Sequence, residues 1–174
     1  MRVTGGELRG RRLVAPPRGA EVRPTSDRAR EGLFSMLGDI SGASVLDLFC
    51  GTGALAIEAL SRGAAFAVLV DRRPGLARRN VEELGLGERA RVVRADVPAF
   101  LRSHEERYLL ILCDPPYRLA PRLEGDLRKL LPERLAPGGR LVVETSAREP
   151  LELGLELERE RRYGDALLRI WRNV

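Results

Sequence analysis

An aspartate, two prolines and a tyrosine in succession, Asp114-Pro115-Pro116-Tyr117, close the apolar run Leu109-Leu110-Ile111-Leu112-Cys113. Such a run reads as a buried strand, and the polar-aromatic corner then stands at its carboxyl end, where open α/β sheets bind ligands. Two consecutive prolines fix φ and remove both N–H donors, so the corner offers carbonyls at little further ordering cost. The side chain of Asp114 and the carbonyl of Pro115 can accept the two N–H bonds of an exocyclic amino group conjugated to a base ring. That favours a pyramidal nitrogen, whose lone pair is then aimed at an electrophilic methyl. Tyr117 supplies a face on which a splayed base stacks. No strong general base is required, because the proton left on nitrogen becomes acidic after methylation. The plainer reading of the same residues is a strand that ends in a Pro-Pro loop.

A second constellation precedes it. Val45-Leu46-Asp47-Leu48-Phe49-Cys50-Gly51-Thr52-Gly53 places an acid near the end of a strand and two glycines in the turn that opens a helix. Glycine belongs there when a ligand must approach the backbone closely. The spacing also satisfies a dinucleotide fingerprint, but Asp47 would repel a pyrophosphate and attract the ammonium group of S-adenosylmethionine, directly or through water. Asp71 and Asp96 fall where the next two strands end. Asp71 there would take ribose hydroxyls, and Asp96 would accept from the adenine amino group with Val97 packed on the ring. For Asp96, before Val97-Pro98, a helix N-cap is the competing reading.

These residues need a scaffold. From Ser44 onward, apolar runs alternate with helical periodicity, which predicts an α/β fold: a mostly parallel sheet with helices on both faces. Strands are expected at 44–48, 65–71, 90–94, 108–114 and 139–144, and helices at about 53–62, 74–84, 98–104 and 121–131. Segments 154–161 and 166–172 alternate around Tyr163-Gly164-Asp165, which predicts a closing antiparallel hairpin. Before the core, residues 7–13 read as a short basic strand or hairpin arm and residues 15–19 as a loop. Thr25-Ser26-Asp27 then caps a helix over 28–37 with Ala29, Leu33, Met36 and Leu37 on its apolar face. The expected organisation is one structural domain: an appended arm and capped helix over 1–38, and the core over 39–174.

The chain has 174 residues and a net charge of +5. Residues 1–30 hold eight arginines against three acids, and the remainder carries 22 basic and 22 acidic side chains. Lys129 is the only lysine, so arginine usage is chain-wide and only the clustering carries information. A basic N-terminal cluster is what a phosphate-binding patch requires. The two cysteines, Cys50 and Cys113, and the single histidine, His104, assemble neither a disulfide framework nor a zinc site, so no metal is expected. No apolar run spans a bilayer and no signal-like leader opens the chain, so a cytoplasmic protein without a membrane partner is expected.

With Asp114-Pro115-Pro116-Tyr117 downstream of Asp47 to Gly53, the chain resembles class I S-adenosylmethionine methyltransferases, whose Rossmann-like fold has a seven-stranded sheet. Members carrying a D/N-P-P-Y/F/W run modify amino groups on DNA or RNA bases or on glutamine. Over nearly its whole length it is similar to the bacterial 16S rRNA guanine-N2 methyltransferase family. Four segments carry that likeness: Gly5-Gly6-Glu7-Leu8-Arg9-Gly10-Arg11-Arg12-Leu13, Arg23-Pro24-Thr25-Ser26-Asp27-Arg28-Ala29-Arg30-Glu31-Gly32-Leu33-Phe34, Asp47-Leu48-Phe49-Cys50-Gly51-Thr52-Gly53 and Glu58-Ala59-Leu60-Ser61-Arg62-Gly63-Ala64. Tyr117 stands where phenylalanine is also usual, which keeps the stacking face. The resemblance implies methylation at guanine N2, with 16S rRNA in the 30S subunit or a late assembly intermediate as partner. It implies that Arg23, Thr25, Arg28 and Glu31 line the cofactor-facing side of the pocket, with Thr25 and Phe49 among the cofactor contacts. It also implies that Arg9, Arg11, Arg12, Arg23 and Arg28 meet RNA. A surface helix pair at i, i+3 is the plainer reading of Arg28 and Glu31. A monomer is expected. A DNA amino-methyltransferase and a non-catalytic RNA-binding protein on the same fold stay open as alternatives.

Overall fold

The computed structural model describes residues 1–17 and 26–174. Arg23 and Thr25 lie outside the described residues. Seven strands form one sheet in the order β3-β2-β1-β4-β5-β7-β6. The strands are β1 (Ser44–Leu48), β2 (Phe66–Asp71), β3 (Ala90–Arg94), β4 (Tyr108–Cys113), β5 (Leu135–Ser146), β6 (Glu156–Tyr163) and β7 (Ala166–Arg172). The helices are α1 (Asp27–Leu37), α2 (Ala54–Ser61), α3 (Gly75–Glu83), α4 (Val97–Ser103) and α5 (Ala120–Arg134).

β1 to β5 pair in parallel, whereas β7 runs antiparallel to both β5 and β6. The expected doubly covered sheet and closing hairpin are therefore present. From β1 the chain steps outward to β2 and β3, then returns to place β4 on the other side. That reversal makes the carboxyl ends of β1 and β4 the switch point at which such sheets open a crevice.

Burial on both faces explains why β4 reads as an unbroken apolar run and why β1 is apolar but for Ser44 and Asp47. One side of the sheet packs Leu33 and Phe34 of α1, Ile57 and Leu60 of α2, and Ala77 and Val81 of α3. The other packs Leu101 of α4 and Leu127 and Leu131 of α5 with Trp171 of β7. Among the described residues, no helix is long and apolar enough to cross a membrane.

The basic arm departs from a simple strand. Residues 5–10 form turns, closed by a single bridge between Arg2 and Arg12. Val3 N donates to Arg11 O at 3.0 Å and Leu13 N to Met1 O at 3.2 Å, so the arm folds back as a small hairpin, while the donors of its turn go to the end of α2. Glu7 N donates to Ser61 O at 2.8 Å, and Leu8 N donates to Ser61 Oγ at 2.9 Å. Gly6 has φ +76°, and a Cβ there would lie 1.8 Å from Ser61 O, so only glycine fits. Val3 and Leu13 bury their side chains in the same core as α1 and α2.

Candidate active site

β1 ends at Leu48, and the chain turns through residues 49–53 into α2. Phe49 has φ +60°, the only non-glycine residue with positive φ among the described residues. An aromatic residue held in that region is strained, and such strain concentrates at functional turns. Gly51 and Gly53 also have positive φ. A Cβ on Gly53 would lie 2.8 Å from Leu69 Cδ2, so the turn is pressed against β2.

Asp47 sits beneath this turn, 1% exposed. Its Oδ2 accepts from Ala56 N in the first turn of α2 at 3.1 Å, while its Oδ1 is buried without a hydrogen-bond partner. Burial pushes its carboxyl up to about 7, against the lowering effect of the Ala56 N–H, and the Asp71 charge adds to the rise. A buried acceptor with no donor is costly, and such groups cluster at functional sites. It is the feature expected of a position that meets an ammonium donor, directly or through water.

The raised value has a consequence for stability. Between about pH 4 and 7 the folded state holds a proton on Asp47 that the unfolded chain has released, so this group destabilises the fold progressively as pH rises through that range. Asp47→Asn is expected to abolish that slope and to stabilise the ligand-free protein at pH 8 by on the order of 2–4 kcal/mol, with a much smaller gain at pH 5. Urea unfolding of both proteins at the two pH values measures this. Equal differences at both would refute the buried-charge account.

Asp71, at the end of β2, fastens the turn. Its Oδ2 accepts from Gly51 N at 3.0 Å and its Oδ1 from Arg73 N at 2.7 Å. Each carboxylate oxygen retains a second lone pair, so acceptor capacity for hydroxyl groups remains.

Asp96 occupies the N-cap position of α4, yet its side chain makes no capping bond. Its Oδ1 accepts from Arg72 Nε at 2.8 Å and also from Arg72 Nη2. Arg72, Arg94, Ala95 and Asp96 line an open cavity of about 330 Å³ at the ends of β2 and β3. Val97 is buried beside it. Arg72 is a neighbour that the strand-end pattern of acids did not single out.

β4 delivers the corner to the same edge. Leu48 pairs with Cys113, and Asp114 N donates to Leu48 O at 3.4 Å. Asp114 is half-buried, Pro115 buried, and Pro116 and Tyr117 exposed. The carbonyl of Pro116 is taken by Leu119 N at 2.8 Å and Ala120 N at 3.0 Å, which closes the turn into α5. Pro115 O receives no backbone N–H among the described residues.

Tyr117 is 44% exposed, and its hydroxyl donates to Glu144 Oε1 at 3.4 Å. Partial burial pushes its phenol up to about 12, and the charges of Glu144 and Asp114 contribute. The ring is thus tethered and stays protonated near neutrality. Cys50 and Cys113 are buried, and burial raises both thiols well above the ordinary range.

Asn80 of α3 was invisible to motif reading and joins two parts of the site. Its Nδ2 donates to Thr52 O at 2.9 Å and to Val14 O at 3.1 Å, while its Oδ1 accepts from Val14 N at 2.7 Å. The arm is thereby fixed to the glycine turn. Arg9, Arg11, Arg12 and Arg28 are exposed. Arg30, counted in the basic cluster, is fully buried, so that charge belongs to the interior and not to a surface patch.

A seven-stranded sheet with its switch point at β1 and β4, a glycine-rich turn after β1 and a closing antiparallel hairpin define the class I methyltransferase fold. A family model described as conserved hypothetical protein 95 matches residues 1–172, and the chain belongs to that family. The chain is 39% identical over 121 residues to ribosomal RNA small subunit methyltransferase D of Escherichia coli K12, a match covering 68% of this chain and 61% of that protein. The match thus spans about three fifths of that relative's length. The solved structure of a hypothetical protein from Thermus thermophilus is 34% identical, with a TM-score of 0.83 over 98% of each chain. An RNA methyltransferase from Salinibacter ruber, solved in complex with S-adenosyl-L-homocysteine, has a TM-score of 0.69 over 87% of this chain and 94% of its own. At 20% identity that likeness speaks for the fold alone.

Proposed function

We propose that this chain transfers a methyl group from S-adenosylmethionine to the exocyclic N2 amino group of a guanine in 16S rRNA. The observation that carries the reading is the junction of β1 and β4: the Leu48 and Cys113 pairing puts the acceptor corner Asp114-Pro115 beside the strained glycine-rich turn. The similarity to an enzyme named for small-subunit rRNA methylation supports the substrate class.

The cofactor supplies a methyl group made electrophilic by a sulfonium centre. The residues proposed to hold it are Asp47, Phe49, Gly51, Gly53, Asp71, Asp96, Val97 and Thr25. The orphaned Asp47 oxygen and the spare lone pairs of Asp71 fit an ammonium group and ribose hydroxyls. Asp114 and the Pro115 carbonyl accept the two N–H bonds of the target amino group and orient its lone pair. Tyr117 stacks the flipped base, its hydroxyl anchored on Glu144. A phenol held near 12 does not serve as a base at neutral pH, so the chain contributes positioning. Arg9, Arg11, Arg12 and Arg28, with Arg23, are proposed to meet RNA phosphates, in a monomeric cytoplasmic enzyme acting on the 30S subunit or a late assembly intermediate.

Incubation with labelled S-adenosylmethionine and 30S subunits from a strain lacking the modification tests this. Mass spectrometry should place one new methyl on a guanine N2. Unlabelled subunits would refute the reading, and greater incorporation into duplex DNA would favour a DNA amino-methyltransferase.

A further inference from the structure

A second cavity, of about 420 Å³, lies between the start of α1 and the tip of the β6–β7 hairpin, lined by Ser26, Arg28, Ala29, Arg162, Tyr163 and Gly164. Arg28 and Arg162 are both exposed, and among the described residues neither is ion-paired with a carboxylate. Elsewhere on the same hairpin, Arg169 bridges to Glu152 at 2.7 Å and to Glu160 at 2.6 Å. Arg162 Nε donates to Gly164 O at 2.8 Å, which fixes its stem and leaves the terminal nitrogens available. The nearest acid in sequence to Arg28, Asp27, is bound by the buried guanidinium of Arg30 at 2.8 Å. Ser26 is already committed as the cap of α1, accepting from Ala29 N at 3.1 Å, so the cavity's character comes from its two arginines.

The two elements that carry the arginines are held in fixed relation. Tyr163 packs directly against α1 at Gly32, where a Cβ would lie 2.1 Å from the phenol oxygen. The hairpin tip also stands on the same sheet edge as the acceptor corner. Ser146 pairs with Ala166, and Ala147 N donates to Asp165 O at 2.8 Å. Two residues before Ser146 on β5 is Glu144, the carboxylate that anchors Tyr117.

We propose that Arg28 and Arg162 together bind a phosphodiester of the RNA strand adjacent to the nucleotide whose base enters the Asp114 corner. Planar guanidinium forks from two elements suit the tetrahedral oxygens of a phosphate, and a backbone contact beside the flipped base fixes its register without reading sequence. The proposal rests on the nucleic-acid methyltransferase reading above and adds a site on the C-terminal hairpin to it.

The test is the salt dependence of binding to a short fluorescein-labelled single-stranded RNA. Because the two arginines share one phosphate, the Arg28→Ala/Arg162→Ala double variant is expected to lower the slope of log affinity against log KCl by about 0.7 in total, each single variant by less, and each single variant to weaken binding by up to about tenfold at low salt. Arg162→Lys should keep the slope while losing part of the affinity, because the charge remains and the fork does not. Affinity for S-adenosylhomocysteine should not change in Arg162→Ala or Arg162→Lys. A double variant with wild-type RNA affinity and slope overturns the proposal. So does inorganic phosphate binding that depends on both arginines while RNA affinity does not, which would assign the cavity to a free anion. If wild-type protein methylates no rRNA while the arginine-dependent RNA slope persists, the activity falls and the phosphodiester site stands.

Discussion

Replacing Asp114 with asparagine or alanine is expected to cut the rate of methyl transfer at saturating substrates by about 10²–10³-fold, with little change in affinity for RNA or for S-adenosylhomocysteine. The magnitude follows from what a single well-placed polar group contributes to a transition state. Alanine removes one of the two acceptors for the amino N–H bonds. Asparagine keeps an oxygen but loses the charge, and it brings a donor that competes for the same position. The Pro115 carbonyl would remain, so residual activity is expected in both. Single-turnover kinetics with 30S subunits, combined with calorimetry, separate the two effects. A variant that binds normally and reacts normally would mean that Asp114 only ends a strand. A variant that loses RNA affinity in proportion to rate would make the residue a binding element instead. Retained RNA affinity with no activity in the wild-type protein would point to a non-catalytic RNA-binding role.

Much of this arrangement can be read in the sequence, for a definite reason. The run 108–113 is apolar throughout, and 44–48 is apolar at Val45, Leu46 and Leu48, because both faces of the central strands are covered; β6, at the edge of the sheet, is polar and exposed over most of its length. Asp47, the glycines and Asp114 are legible because each stands where an apolar run meets a turn. The amino end of β5 is less so. Pro137-Gly138-Gly139 reads as a breaker, yet the strand begins at Leu135, which pairs with Tyr108 before a register shift. Long-range partners are illegible in a single sequence. Nothing local in α3 says that Asn80 meets Thr52 and Val14, and nothing local in α1 says that Arg30 turns inward. Composition counted Arg30 as surface charge because composition carries no partner. Its partner is the feature that binds the arm to the core.

That partner is Glu58 of α2, fully buried. Its Oε1 accepts from Thr4 Oγ1 at 2.7 Å, Gly5 N at 2.8 Å and Arg62 Nε at 2.9 Å, and its Oε2 from Thr4 N at 2.8 Å and Arg30 Nε at 3.2 Å. Arg30 Nη2 additionally donates to Arg2 O and Asp27 Oδ1. Burial alone would raise the Glu58 carboxyl, but the bonds from Thr4 and Arg62 and the charge of Arg30 outweigh it and hold the group below its ordinary value. Glu58→Ala is expected to cost about 3–5 kcal/mol, because it strands a buried guanidinium and the donors of the arm together. Glu58→Gln, which keeps the shape but not the charge, should cost less. Urea unfolding measures the loss, and hydrogen exchange at residues 2–13 should show the arm opening before the sheet does. A depressed carboxyl stabilises the fold above its unfolded value and loses that contribution as pH falls through the folded one, so the arm should also detach in acid. Asp47 has the opposite dependence, weakening the fold as pH rises toward 7, so acid would loosen the arm while relieving the strain beneath the glycine turn. A Glu58→Ala protein within about 1 kcal/mol of wild type, with its arm still protected, would show that the arm is held by Val3 and Leu13 and by the Ser61 and Asn80 bonds instead. If the network does hold it, exposed Arg9, Arg11 and Arg12 are presented on a preformed surface, and binding RNA would not have to order them first.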